Sequence, residues 1–187
     1  GQSIGIATMA GFGSNGWLAP GSIAYLGTAN NERGLAYNPV TNNLVLVSRA
    51  NVSGTANNIV ILNGTTGSLL KTMNPTGISG GTFSINMAGV GADGVIYVSN
   101  LVAQAASPSA TKVYAWSSEA STAAPTVAFT KTIANATLRF GDSFDVFGST
   151  GSAQFVIAGG GATGSNSGFA QGLDRKSTRL NSSHEWI

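Results

Sequence analysis

Five carboxylates between Gly1 and Leu173 could carry chemistry: Glu32, Asp93, Glu119, Asp142 and Asp145. Asp142 and Asp145 lie three residues apart in RFGDSFD (Arg139–Asp145), and on a bent strand such a pair can converge. Converging carboxylates bind a hard cation or share general acid and base work. The competing role is structural, with Asp142 or Asp145 paired to Arg139 and closing one unit of the fold against the next. The chain is poor in acids and a calcium site needs many oxygens, so no metal is expected, and Asp142 and Asp145 are the candidates if one binds. Glu32 and Arg33, in NERG, precede a strand as Arg139 does and invite the same structural reading. Asp93, in ADG, reads as a turn residue.

Nucleophilic catalysis needs a base beside a serine or cysteine. The chain has no cysteine, and its one histidine is His184. That histidine ends the run DRKSTRLNSSH (Asp174–His184), which reads codon for codon as the translation of a common short-read sequencing adapter. Residues 174–187 are therefore expected to be adapter read-through, with no packed contact to the rest, and are set aside from fold reasoning. Without them the nine basic residues fall to six, the seven acidic to five, and the formal charge from +2 to +1. No serine has a recognisable activator. Catalytic residues are expected to be none.

GxGxxG occurs at Gly11-Gly13-Gly16, Gly89-Gly91-Gly94 and Gly159-Gly161-Gly164. A dinucleotide site needs this motif between a strand and a helix, and no helical pattern follows any of them. With 26 glycines such matches arise by chance, so no cofactor is expected. Trp17 and Trp116 could stack on a sugar; Trp116, inside KVYAWS, suits a core better, which leaves Trp17 as the ligand-binding candidate.

Near-neutral charge cannot supply the phosphate-tracking stripe of a nucleic-acid binder, nor suit an anionic membrane surface. No apolar run is long enough to span a bilayer. At 42% hydrophobic the chain can bury a core and is not a disordered sequence. Residues 1–173 read as one incomplete domain, open at both ends, without a visible signal peptide.

The elements that must position these residues are short apolar runs between turn residues, with no sustained 3.6-residue period. A first unit runs GLAY (34–37), LVLVS (44–48), NIVILN (58–63) and SLLKTM (68–73), with NPVTNN and GTTG as turns. A second runs SINMAGV (84–90), VIYVSN (95–100), KVYAWS (112–117) and TVAFTK (126–131). A third begins with SFDVFG (143–148) and QFVIAG (154–159), and SIAYLGT (22–28) reads as the outer strand of a preceding unit. Val95–Ser99 follows Leu44–Ser48 by 51 residues. The spacing predicts an all-β chain, a partial β-propeller of four-stranded antiparallel blades, about two and a half of them. The apolar second strands LVLV and FVIA fit blades covered on both faces. A β-sandwich is the alternative.

The runs RGLAYNPVTNNLVLVSR (33–49), NIVILNGTTGSLL, GISGGTFSINMAGVGADGVIYVSNL (77–101), KVYAWSSE and RFGDSFDV (139–146) resemble an uncharacterised family. Its members are domains of unknown function in large bacterial secreted proteins, often beside PEP-CTERM or autotransporter-type sorting signals. The resemblance implies a secreted or cell-surface location and supplies no catalytic residues. The expectation is a non-catalytic scaffold or binding module with an unknown extracellular protein or glycan as partner. The alternative is a fragment of a propeller hydrolase or lyase acting on extracellular polysaccharide.

Overall fold

Runs of β-branched and aromatic residues separated by Asn, Gly and Pro favour extended chain and tight reversal, and each becomes a strand. The computed structural model describes residues 18–103, 110–132, 139–159 and 172–175. Among these it is all-β, in antiparallel sheets without a helix. The first sheet is the meander β1 (Glu32–Asn38), β2 (Asn43–Ser48), β3 (Asn58–Leu62) and β4 (Leu69–Thr72). The second is β5 (Phe83–Val90), β6 (Ile96–Leu101), β7 (Ala110–Trp116) and β8 (Thr126–Thr132). The third orders β9 (Ser143–Phe147), β10 (Gln154–Ala158) and β11 (Gly172–Arg175) as β11-β10-β9.

Strand alternation sends successive side chains to opposite faces. Val45, Val47, Ile59 and Ile61 of the first sheet therefore meet Ile96, Val98, Tyr114 and Trp116 of the second in one buried layer. The opposite face of the second sheet sends Tyr97 and Val113 against Phe144, Val146, Phe155 and Ile157 of the third. There Tyr97 packs edge-on to Phe155 at 5.0 Å between centroids, and Phe144 lies over Phe155 at 5.9 Å. Aromatic pairs favour such offsets.

Successive sheets come closest through their first strands. A Cβ on Gly34 of β1 would stand 2.4 Å from the Ala88 nitrogen of β5, and one on Gly89 of β5 would stand 2.6 Å from Cγ2 of Val146 on β9. Only glycine permits the first of these approaches, because the obstacle there is backbone.

Ser22–Thr28, read as a strand, is a series of turns and bends. Gly21, with φ of 82°, lets the chain fold on itself: the Gly21 amide donates to the Leu26 carbonyl and the Leu26 amide to that of Ile23. Local pairing removes the ladder, and Leu18, Ile23 and Tyr25 instead cover Leu46, Val60 and Leu62 on the outer face of the first sheet. The 51-residue spacing also needs correcting by face. Val45 and Ile96 stand 51 apart yet look into the same layer from opposite sides. Matching positions that look toward the following sheet are Val45 and Tyr97, one residue further on. A shift of one residue exchanges the two faces of a strand.

FVIA is not covered on both faces as LVLV and VIYV are. β10 alternates buried with half-buried residues, whereas β6 is buried along its whole length. Finally, β11 includes Asp174 and Arg175 and forms an antiparallel ladder with β10, Phe155 opposite Asp174 and Gln154 opposite Arg175. At these two residues the tail, expected to make no packed contact, is held by backbone pairing to β10. A sheet edge offers unpaired amides and carbonyls to any extended backbone, whatever its side chains. His184 and the rest of 176–187 lie outside the described residues.

Candidate functional site

Among the described residues Glu119 is the buried carboxylate, 8% exposed, in the loop after β7. Its Oε1 accepts hydrogen bonds from Asn38 Nδ2 at 2.8 Å and Thr41 Oγ1 at 2.7 Å, and its Oε2 accepts from Asn43 Nδ2 at 2.8 Å. All three donors belong to the β1–β2 turn region of the first sheet. Asn42 takes φ of 60° there, as Asn can in a tight turn. Lys71 of β4 adds bonds to the carbonyls of Glu119 and Ser121, at 2.7 and 3.2 Å. The carboxylate thus joins two sheets with neutral donors. In the sequence nothing sets Glu119 apart from the other four acids of residues 1–173.

Asp142 does pair with Arg139: Arg139 Nε lies 2.7 Å from Oδ2 and 2.9 Å from Oδ1. The bridge is local, three residues along the chain, and does not close one sheet against another. It holds the Arg139 guanidinium above its ordinary pKa. Asp145 points from the exposed face of β9 and accepts from the Val146 amide at 2.8 Å. Glu32 likewise turns back locally, its Oε1 accepting from the Gly27 amide at 2.8 Å. Among the described residues no group of three or more His, Cys, Asp or Glu comes together to hold a metal ion.

The contact between turns that was expected of these acids is made by Asp93. Thr150, in the β9–β10 turn, donates its amide to Asp93 Oδ2 at 2.8 Å, and the Ala92 amide donates to the Gly148 carbonyl at 2.9 Å. Burial works to raise the Asp93 carboxyl, but hydrogen bonds from Thr150 and Val95 outweigh it and hold it below the usual carboxylate range. Burial, with Asp93 nearby, pushes the Tyr97 phenol up.

Trp116 is buried, with its indole Nε1 donating to the Asn74 carbonyl at 3.0 Å. Trp17 lies outside the described residues, as do Gly11, Gly13, Gly16, Gly161 and Gly164. Gly89, Gly91 and Gly94 run from β5 through a turn into β6, where no helix receives a phosphate. Among the described residues, no helix is long and apolar enough to cross a membrane.

Two clefts remain. One of about 550 Å³ lies between the second and third sheets, lined by Asp93, Tyr97, Trp116, Thr150 and Phe155 among small residues. The other, about 460 Å³, opens where β1 begins, β2 ends and β5 begins. Its walls include Asn31, Arg33, Arg49, Asn57, Phe83 and Ser84. The Arg49 guanidinium sits 3.6 Å above the centroid of the Phe83 ring, a cation–π contact. Desolvation, then the like charges of Arg33 and Arg139, press its pKa down.

No curated protein and no solved structure matches the chain. A family model does, over residues 5–166, nearly the whole span that carries the three sheets. The match covers well over half of the sequence, and the chain belongs to the family described as domain of unknown function DUF4623.

Proposed function

We propose that this domain is a non-catalytic scaffold or binding module, built as part of a β-propeller and carried by an exported bacterial surface or extracellular protein. The observation that carries the reading is the passage of the first strands: β1 lies against β5 and β5 against β9, through Gly34 and Gly89. Propeller blades place one strand of each sheet around a common axis and pack face to face about it. A two-layer sandwich buries one face of each sheet, whereas the second sheet here is buried on both. Rings of this kind gather loops at two ends, where partners bind. Export and bacterial origin rest on the resemblance of the strand and turn motifs to domains of secreted proteins.

Closure tests the reading. A piece holding three sheets leaves the outer face of the third open, where Val156 and Ala158 are only half-buried, so residues 1–173 alone should self-associate, while a longer protein bearing further sheets should sediment as a monomer. A well-folded monomer of residues 1–173 at high micromolar concentration would favour the self-contained sandwich. Incubation with extracellular polysaccharides should release no reducing ends. Release that disappears in a Glu119→Gln protein would turn the reading to the hydrolase.

A further inference from the structure

We propose that the cleft bounded by Arg33, Arg49 and Phe83 binds an acidic sugar through its carboxylate or sulfate group. The inference goes beyond the module reading and does not depend on ring closure. Arg33 and Arg49 line the cleft, and Arg33 and Arg139 both press on the charge of Arg49. Crowded like charges are unfavourable unless an anion relieves them. The neighbouring carboxylates relieve Arg139 alone. Asp142 is committed to Arg139, and Glu32 accepts from the Gly27 amide. Among the described residues no carboxylate bridges Arg33 or Arg49.

Arg49 is also incompletely satisfied. Its Nη1 is shielded from solvent and lacks a hydrogen-bond partner. Arginine presents a fork of donors matched to a planar or tetrahedral oxyanion, so a group seated in the cleft would meet the exposed fork of Arg33 and reach Nη1 of Arg49 as that side chain shifts. Stacking on Phe83 fixes one of them before the ligand arrives, which lowers the cost of ordering the site.

The remaining walls suit a sugar better than a bare ion. Asn31, Asn57 and Ser84 offer amide and hydroxyl groups, and Phe83, 42% exposed, offers apolar ring surface. Ser84 Oγ donates to Asn57 Oδ1 at 2.6 Å, which fixes that amide's orientation. A volume of about 460 Å³ accommodates one or two pyranose rings.

The test is calorimetric titration of the whole chain, at low salt, with an oligogalacturonate, a sulfated oligosaccharide of equal length and a neutral oligogalactoside. One acidic probe should bind and the neutral one should be at least about tenfold weaker, a difference of about 1.4 kcal/mol. Preference for the uronate or for the sulfate ester assigns the source of the oxyanion. Arg33→Gln and Arg49→Gln should each weaken the favoured probe by about tenfold or more. Arg33 is exposed, so its substitution should leave the melting temperature in place and keeps the test valid should Arg49→Gln unfold. Equal binding of the neutral sugar, wild-type affinity in Arg33→Gln, or no binding of either acidic probe would overturn the proposal.

Discussion

The two layers between the three sheets are built differently. The first, between β1–β4 and β5–β8, is an aliphatic layer around Trp116 and Tyr114, and its rim is locked by a buried acid with three donors. The second, toward β9–β11, is aromatic, and its rim is joined by an exposed turn-to-turn contact at Asp93. Aliphatic packing is non-directional and specifies register poorly, so a directional polar clamp beside it fixes which turn meets which loop. Edge-on and offset rings carry their own geometry, and there a lighter contact is enough.

Removing the anchor of the first layer gives the largest expected effect. Trp116→Ala leaves a cavity and an unanswered Asn74 carbonyl and should cost about 3–5 kcal/mol in denaturant unfolding. A loss below about 1 kcal/mol would mean that the layer is not the core of the domain. Gly34→Ala tests the close approach of β1 and β5 and should cost about 1–3 kcal/mol, since the new methyl meets backbone. An unchanged melting temperature would show that the first strands can separate freely.

Glu119→Gln sharpens the contrast between rims. The amide can still accept from Asn38 and Thr41 through its oxygen, but its nitrogen then faces the donor of Asn43. A loss of about 1–2 kcal/mol is expected, with hydrogen exchange quickening in the β1–β2 turn and not in β9 or β10. Uniform quickening across all three sheets would deny the clamp its local character. Asp93→Asn is the mildest change, under about 1 kcal/mol because the group is exposed. Its carboxyl is depressed in the folded state, so its contribution is present above the unfolded carboxylate pKa and fades as pH falls through the folded value. The melting-temperature gap between wild type and Asp93→Asn should therefore be open at pH 7 and narrow as the pH falls below the ordinary carboxylate range of about 4. A gap that widens on acidification would reverse the assignment.

What could be read in advance was local. LVLVS, NIVILN, VIYVSN and QFVIAG carry their strand character in side-chain pattern, and their turns carry Asn and Gly, so β2, β3, β6 and β10 start and end within about two residues of expectation. SIAYLGT has the same composition but a Gly21 that permits local turns, and pattern alone could not decide between them. Which face Val45 and Ile96 share depends on how two sheets dock, which is not written in either strand. The clamp unites Glu119 with residues 76 to 81 positions earlier, and the arginine cleft unites segments from Asn31 to Ser84. Neither leaves a mark within a window of neighbouring residues.

The clamp has a consequence for the order in which the chain is made. Asn38, Thr41 and Asn43 emerge from the ribosome 81, 78 and 76 residues before the acid that satisfies them. At synthesis rates of roughly 5–20 residues per second the first hairpin waits about 4–16 s with those donors turned to water. During that interval β1 and β2 can pair and part at little cost, and an early mistake in their register can still be undone. The clamp itself can close only once the loop after β7 has been translated.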